Sequence, residues 1–122
     1  MDLEEFKKQF ITEAKEKLSE ADECLDKLQK GYDNNTLVDL KRSFHTLKGN
    51  SAAMGFQKYF ELAKAGNDLA QRAIDKEVEL DGNVVSLLKK CKEELNKGLQ
   101  FIEEGNPESL TADDLVHKIQ KV

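Results

Sequence analysis

Apolar residues recur every three or four positions along four successive stretches of the chain, a spacing that places them on one face of a helix and on both faces of a strand. From Asp2 to Lys30 the stripe is Leu3, Phe6, Phe10, Ala14, Leu18, Ala21, Leu25 and Leu28. Asp2 is positioned to cap the start of this helix with Glu5 three residues on, and Gly31 to end it in the left-handed conformation. Asp33-Asn34-Asn35 then reads as a turn, and Leu37, Leu40, Phe44, Leu47, Ser51 and Met54 predict a second helix from Thr36 to Met54, punctuated by Gly55. A third is expected from Gln57 to Lys76, with Ala63, Gly66 and Ala70 small enough to let another helix approach closely. After the turn and cap at Asp81-Gly82-Asn83, a fourth presents Val84, Leu88, Cys91, Leu95, Leu99 and Ile102 and ends before Gly105-Asn106-Pro107. A weaker fifth segment starts at Thr111, with Asp114 at capping-box spacing, and carries Leu115, Ile119 and Val122.

Four amphipathic helices with short connections predict an all-α fold, an up-down-up-down antiparallel four-helix bundle over residues 1–105. Residues 106–122 form a short additional C-terminal helix, packed across one end or leading into a linker. The length of 122 residues suits one domain. A net charge of -5 argues against a general nucleic-acid binder. No apolar run reaches the roughly 18–20 residues that span a bilayer, and the acidic start Met1-Asp2-Leu3-Glu4-Glu5 has no signal-peptide pattern. The expectation is a cytoplasmic chain with no membrane partner, monomeric as an isolated domain. Cys24 and Cys91 each fall in an apolar helical pattern and are expected to be buried, reduced thiols.

The second helix contains His45-Thr46-Leu47-Lys48-Gly49-Asn50-Ser51-Ala52-Ala53-Met54-Gly55. At about 100° per residue, His45 falls roughly 130° from the centre of the apolar stripe, so its ring faces outward. Gly49, one turn on, leaves that face open to an approaching surface, although a helix-interior glycine costs about 1 kcal/mol relative to alanine. Lys48 lies three residues from His45, and Lys41 and Arg42 one turn before it. A histidine with a basic collar on an acidic domain suits a phosphorylatable imidazole and an acidic partner pocket. Lone surface histidines, solvated lysines and chance helix glycines are common, and each residue alone is weak evidence.

Taken together, His45-Thr46-Leu47-Lys48-Gly49-Asn50-Ser51 with Met54-Gly55-Phe56 resembles the signature of histidine-containing phosphotransfer (HPt) domains. The resemblance covers nearly the whole chain, because that family's four-helix bundle carries its active histidine on the second helix. It implies that Nε2 of His45 accepts a phosphoryl group, from a receiver aspartyl phosphate or from ATP through a histidine kinase catalytic domain, and passes it to a receiver aspartate. Lys48 then supports the reaction, and Lys41, Arg42, Gly49, Ala52 and Lys64 form the partner-docking surface. Mg²⁺ and ATP come from the partner domains, so no cofactor or metal site is expected here.

The family also places a polar residue 22 positions after the acceptor, beside the imidazole, which is Asn67 in this chain. In chemotaxis kinases of the CheA type that residue is typically glutamate, and position 64, here lysine, is often histidine. A neutral amide orients the ring but cannot stabilise an imidazolium as a carboxylate does. These two departures favour a phosphotransfer domain that works with receivers. The Phe6, Phe10, Glu13-Ala14, Leu18 pattern, the Met54-Gly55-Phe56 corner, the start at Met1 and the weak fifth helix resemble instead the amino-terminal domain of CheA-type kinases. The sequence beyond Val122 would separate the two.

A plain helical interaction module with a vestigial motif is the competing reading from another class. An independent enzyme is disfavoured, because there is no glycine-rich phosphate loop and no Ser/His/Asp or Cys/His set. Asp114 and His117 have D-x-x-H spacing, but one such pair lacks the further ligands of a di-metal bundle.

Overall fold

The four apolar stripes become four long helices, α1 (Leu3–Lys30), α2 (Asn34–Met54), α3 (Gln57–Ile74) and α4 (Gly82–Glu103), in a computed structural model that describes residues 2–122. A 3-10 turn at Pro107–Ser109 and a short helix, α5 (Asp113–Gln120), follow, and no strand occurs among the described residues. Each long helix neighbours the next in sequence, and α1 closes the square against α4. Cross-links between α1 and α4 run in opposite sequence order: Lys7 Nζ donates to the Glu103 carbonyl at 3.3 Å, Asp22 pairs with Lys92 at 2.8 Å, and Lys89 donates to Gln29 at 3.1 Å. The bundle is therefore antiparallel, up-down-up-down.

The core is built from the stripe residues, with Leu25, Leu37, Leu40, Phe44, Leu47, Leu62, Leu69, Leu88 and Leu95 fully buried. Each such side chain contributes about 2 kcal/mol of transfer free energy. At one end, Phe10 meets Phe56 and Tyr59 edge to face, with ring centroids 5.1 and 5.6 Å apart. Gly98 makes room beneath this cluster, since a Cβ there would lie 2.9 Å from the Tyr59 ring and 3.1 Å from Leu110. No described helix is long and apolar enough to cross a membrane.

α5 runs alongside α3 in the same direction. Lys58 near the start of α3 pairs with Asp113 at 3.6 Å, and the Arg72 guanidinium near its end donates to the Val122 carbonyl. Ile119 and Leu110 are buried in the common core.

Several boundaries differ from the sequence reading, each for a local reason. α2 starts at Asn34, earlier than Thr36, because Asp33 accepts from the Asn35 backbone N–H at 3.0 Å and the Thr36 hydroxyl at 2.8 Å. These hydrogen bonds hold the Asp33 carboxyl below its usual range. Gly31 is not left-handed but extended, with φ 158° and ψ 156°. α3 stops at Ile74, short of Lys76, whose φ of 61° turns the chain out of the helix. The Thr111–Asp114 capping box does not form: burial of Leu110 draws in the preceding chain, and α5 begins at Asp113 after Ala112 with no side-chain cap. The α1 stripe outruns the core, with Leu3 80% and Phe6 43% exposed, because α4 ends level with Lys7. Cys91 is buried as expected, whereas Cys24 is only half-buried, and both thiols are free.

Candidate functional site

The motif from His45 to Gly55 lies on α2, which presents Leu40, Phe44, Leu47 and Ser51 to the core. His45 is exposed on the opposite side, with no hydrogen bond to any described residue. Gly49 is exposed too, and a Cβ added to it meets nothing within 4 Å. The open approach expected from the sequence is therefore a property of the surface. Ser51 is fully buried, and its hydroxyl donates to the carbonyls of Leu47 at 2.7 Å and Lys48 at 3.0 Å, so this polar residue costs the core little. Gly55 closes the helix in the left-handed conformation, with its own N–H on Ala52 and the Phe56 N–H on Ser51, a six-to-one and five-to-two closure that only an αL residue permits without strain.

The basic collar is less uniform than its sequence. Lys41 and Lys48 are half-buried along the same flank as His45 and have no ion-pair partner among the described residues. Arg42 is exposed and lies 3.5 Å from Asp39, and Lys64 on α3 lies 2.7 Å from Asp68. Lys41 and Lys48 thus bring unneutralised charge to the face that carries the imidazole, while Arg42 and Lys64 bring charge already shared with a carboxylate. Ala52, two turns after His45, is exposed beside them.

Asn67 is buried, with 7% of its surface exposed. By helical geometry it lies between Ala63 and Ala70 on one side and Lys64 and Asp68, which border α5, on the other. α2 and α3 meet closely at this level: a Cβ on Gly66 would lie 3.1 Å from two atoms of the Phe44 ring and 2.9 Å from Cys91 Sγ. The close approach foreseen from the small residues of α3 is thus made at Gly66, against Phe44. Asn67 Nδ2 donates to Asp68 at 3.3 Å, while its Oδ1 is buried and has no partner among the described residues. Asp68 was not singled out by the sequence, although its spacing four residues after Lys64 is the one at which opposite charges pair on a helix.

The remaining titratable and polar core groups are structural. Cys91 donates its thiol to the Leu62 carbonyl at 3.4 Å, and full burial pushes its pKa up to about 12. Burial, and then the nearby Asp39 charge, also raise Cys24. Desolvation raises Tyr59, whose hydroxyl has no partner among the described residues. No group of three or more His, Cys, Asp or Glu residues able to hold a metal occurs among the described residues. A groove of about 450 Å³ between α4 and α5, lined by Lys90, Glu93, Leu115 and Lys118 among others, includes none of the motif.

With this geometry in place, comparison with known proteins is informative. The chain is 32% identical over 97 residues to the chemotaxis protein CheA of Listeria monocytogenes, covering 79% of this chain and 16% of that protein. To CheA of Treponema pallidum it is 27% identical over 118 residues, covering 96% of this chain and 14% of that protein. The chain thus spans about one sixth of the length of these relatives. In fold it is similar to the phosphorylated P1 domain of CheA3 in complex with CheY6 from R. sphaeroides, at 24% identity and a TM-score of 0.87, over 96% of this chain and 94% of that one. The sequence model of the Hpt domain matches residues 6–100, and the chain belongs to the Hpt, or histidine-containing phosphotransfer, domain family.

Proposed function

We propose that this domain is a histidine phosphocarrier, with His45 as the phosphoacceptor and a response-regulator receiver domain as its exchange partner. The observation that carries the reading is an exposed imidazole on α2, followed one turn later by a glycine over open space, in a chain of the Hpt family. In the reaction the Nε2 lone pair attacks phosphorus, an N–P bond forms, and the P–O bond to the donor breaks, leaving a carboxylate if the donor is an aspartyl phosphate. In-line transfer of this kind needs positioning and charge neutralisation more than covalent assistance from the protein. Lys48 and Lys41 offset the charge of the phosphoryl group on the ring, and Asn67 orients the imidazole. Lys41, Arg42, Gly49, Ala52 and Lys64 form the docking face. Mg²⁺ and ATP belong, in this reading, to the partner domains.

A second reading keeps the same acceptor and changes its donor: the domain serves as the phosphoacceptor segment of a CheA-like kinase, loaded by that kinase's ATP-binding domain. The two CheA relatives, each matched over a small part of its length, favour it. The partner named with the R. sphaeroides P1 domain, CheY6, supports a receiver as the onward acceptor in either case. The test is transfer. Phosphorylated wild-type protein mixed with a CheY-type receiver and Mg²⁺ should lose its label to the receiver within seconds to minutes. Retention of the label would leave an interaction module rather than a carrier. Loading by a CheA catalytic domain with ATP, compared with loading by a phosphorylated receiver, decides between the two donors.

A further inference from the structure

Two cations lie within one helical turn before His45, Lys41 four residues back and Arg42 three, and the fold treats them differently. Arg42 turns into the groove between α1 and α2, whose lining includes none of Lys41, His45 and Lys48, and it lies 3.5 Å from Asp39. Its charge is already answered by a carboxylate. Lys41 and Lys48 are two turns apart and so fall on one line along α2, with His45 between them and about 40–60° round the helix. Both are half-buried, and neither has an ion-pair partner among the described residues. A lysine whose stem is partly covered has less freedom to lose when its ammonium meets an anion. Side chains on a helix lean toward its N-terminus, which carries the imidazole back over the turn of Lys41 and the Lys48 stem back toward the imidazole.

We infer that Lys41, rather than Arg42, sets the direction of phosphoryl exchange: its free charge holds the group on this domain and draws the equilibrium with a receiver toward phosphorylated His45. The inference rests on the reading of His45 as the phosphoacceptor and goes beyond it in fixing where the exchange comes to rest. In the exchange the N–P bond at Nε2 breaks, its electron pair returns to the ring, and a P–O bond forms to the receiver carboxylate. The phosphoryl group brings negative charge that the free imidazole lacks, so an unpaired ammonium one turn away stabilises the phosphorylated state alone. It therefore acts on the end point. Docking contacts act on the rate instead, because they are released when the partners separate. Lys41 makes the domain a store for the phosphoryl group, one that empties into a receiver less completely than Lys48 by itself would allow.

The measurement is the end point of that exchange. Wild type and variants are loaded with phosphoramidate, freed of the reagent, and mixed with an equimolar CheY-type receiver and Mg²⁺. The receiver is one whose aspartyl phosphate outlasts the exchange, and both partners are followed by intact mass until their ratio is constant. Lys41→Gln should move the ratio of phosphorylated domain to phosphorylated receiver about three- to tenfold toward the receiver, the scale of one ion pair made to a multiply charged group. Lys41→Arg should return it to within about twofold of wild type. Arg42→Gln removes the same charge from the neighbouring residue on the docking face; it should slow the approach to the end point and move the end point itself by less than about twofold. Raised salt should narrow the difference between wild type and Lys41→Gln. Lys41 lies outside the core, so its variants are expected to fold, which a thermal melt verifies. Phosphate on His45 with a wild-type end point in Lys41→Gln, or an equal shift in Arg42→Gln, overturns this inference alone. Failure of wild-type His45 to take a phosphoryl group overturns the reading beneath it, and this inference with it.

Discussion

Gly49 and Gly66 both lie inside helices, yet a methyl group added to each should change stability in opposite directions. At either position alanine removes the conformational cost of glycine and gains about 1 kcal/mol. At Gly49 nothing lies within 4 Å of the new Cβ, so that gain stands alone. At Gly66 the Cβ meets Cys91 Sγ at 2.9 Å and the Phe44 ring at 3.1 Å, atoms that are themselves fully buried and have little room to withdraw. Overpacking of this kind costs about 1–3 kcal/mol, so Gly66→Ala should come out between neutral and about 2 kcal/mol destabilising. The two variants should differ by about 1–3 kcal/mol in urea unfolding, or several degrees in melting temperature at roughly 4 °C per kcal/mol for a domain of this size. Adding Cys91→Ala to Gly66→Ala removes the nearest atom and should recover part of the loss, whereas Cys91→Ala alone should destabilise through a small cavity. If Gly66→Ala stabilises as much as Gly49→Ala, α2 and α3 do not meet at Phe44 and Gly66.

Three further predictions come from the core and from the acceptor face. Tyr59→Phe deletes a buried hydroxyl that has no partner among the described residues and keeps the ring packed on Phe10, so it should be neutral to about 1 kcal/mol stabilising in denaturant titration; a loss above that range would reveal a partner for the hydroxyl. The Cys91 thiol, raised from 9.0 to about 12, keeps its proton in the folded state where an unfolded chain would lose it. Its contribution to stability is therefore complete below pH 9 and falls as pH rises toward 12, by up to about 1.4 kcal/mol per pH unit. Cys91→Ala should flatten that part of the stability profile, and in the native protein Cys91 should escape a thiol reagent that titrates both cysteines after unfolding. Gly49→Leu should leave the fold intact and slow transfer to a receiver at least tenfold, because the bulk fills the approach to the ring; an unchanged rate would place the docking surface elsewhere.

Much of this was legible before the structure because a helix in a bundle repeats its contacts. The stripes of α2 and α4 matched the buried residues closely, each position being tied to the next by the helical period. Where period gave way to single contacts, the sequence was less informative. Leu110 is an isolated apolar residue between a 3-10 turn and a helix, so nothing in its neighbours announced that it would be buried and would displace the start of α5 past Thr111. Leu3 and Phe6 continued the α1 stripe faithfully, but where α4 stops is a tertiary fact, and it leaves them exposed. At the site, the outward direction of His45 and the clearance at Gly49 followed from angle and residue type. The burial of Asn67 depends on how closely α3 packs in the bundle, which Gly66 permits but its spacing does not reveal.

The central claim, that His45 is the acceptor, is tested most directly by locating the phosphate. Wild-type protein, His45→Gln and His117→Gln are each incubated with a CheA catalytic domain, ATP and Mg²⁺, and in parallel with phosphoramidate. Acid-labile, alkali-stable phosphate is then counted by intact mass and mapped by fragmentation. The account predicts one phosphoryl group on His45 in the wild type and in His117→Gln, and none in His45→Gln. Undiminished labelling of His45→Gln, or phosphate found on His117, would contradict it.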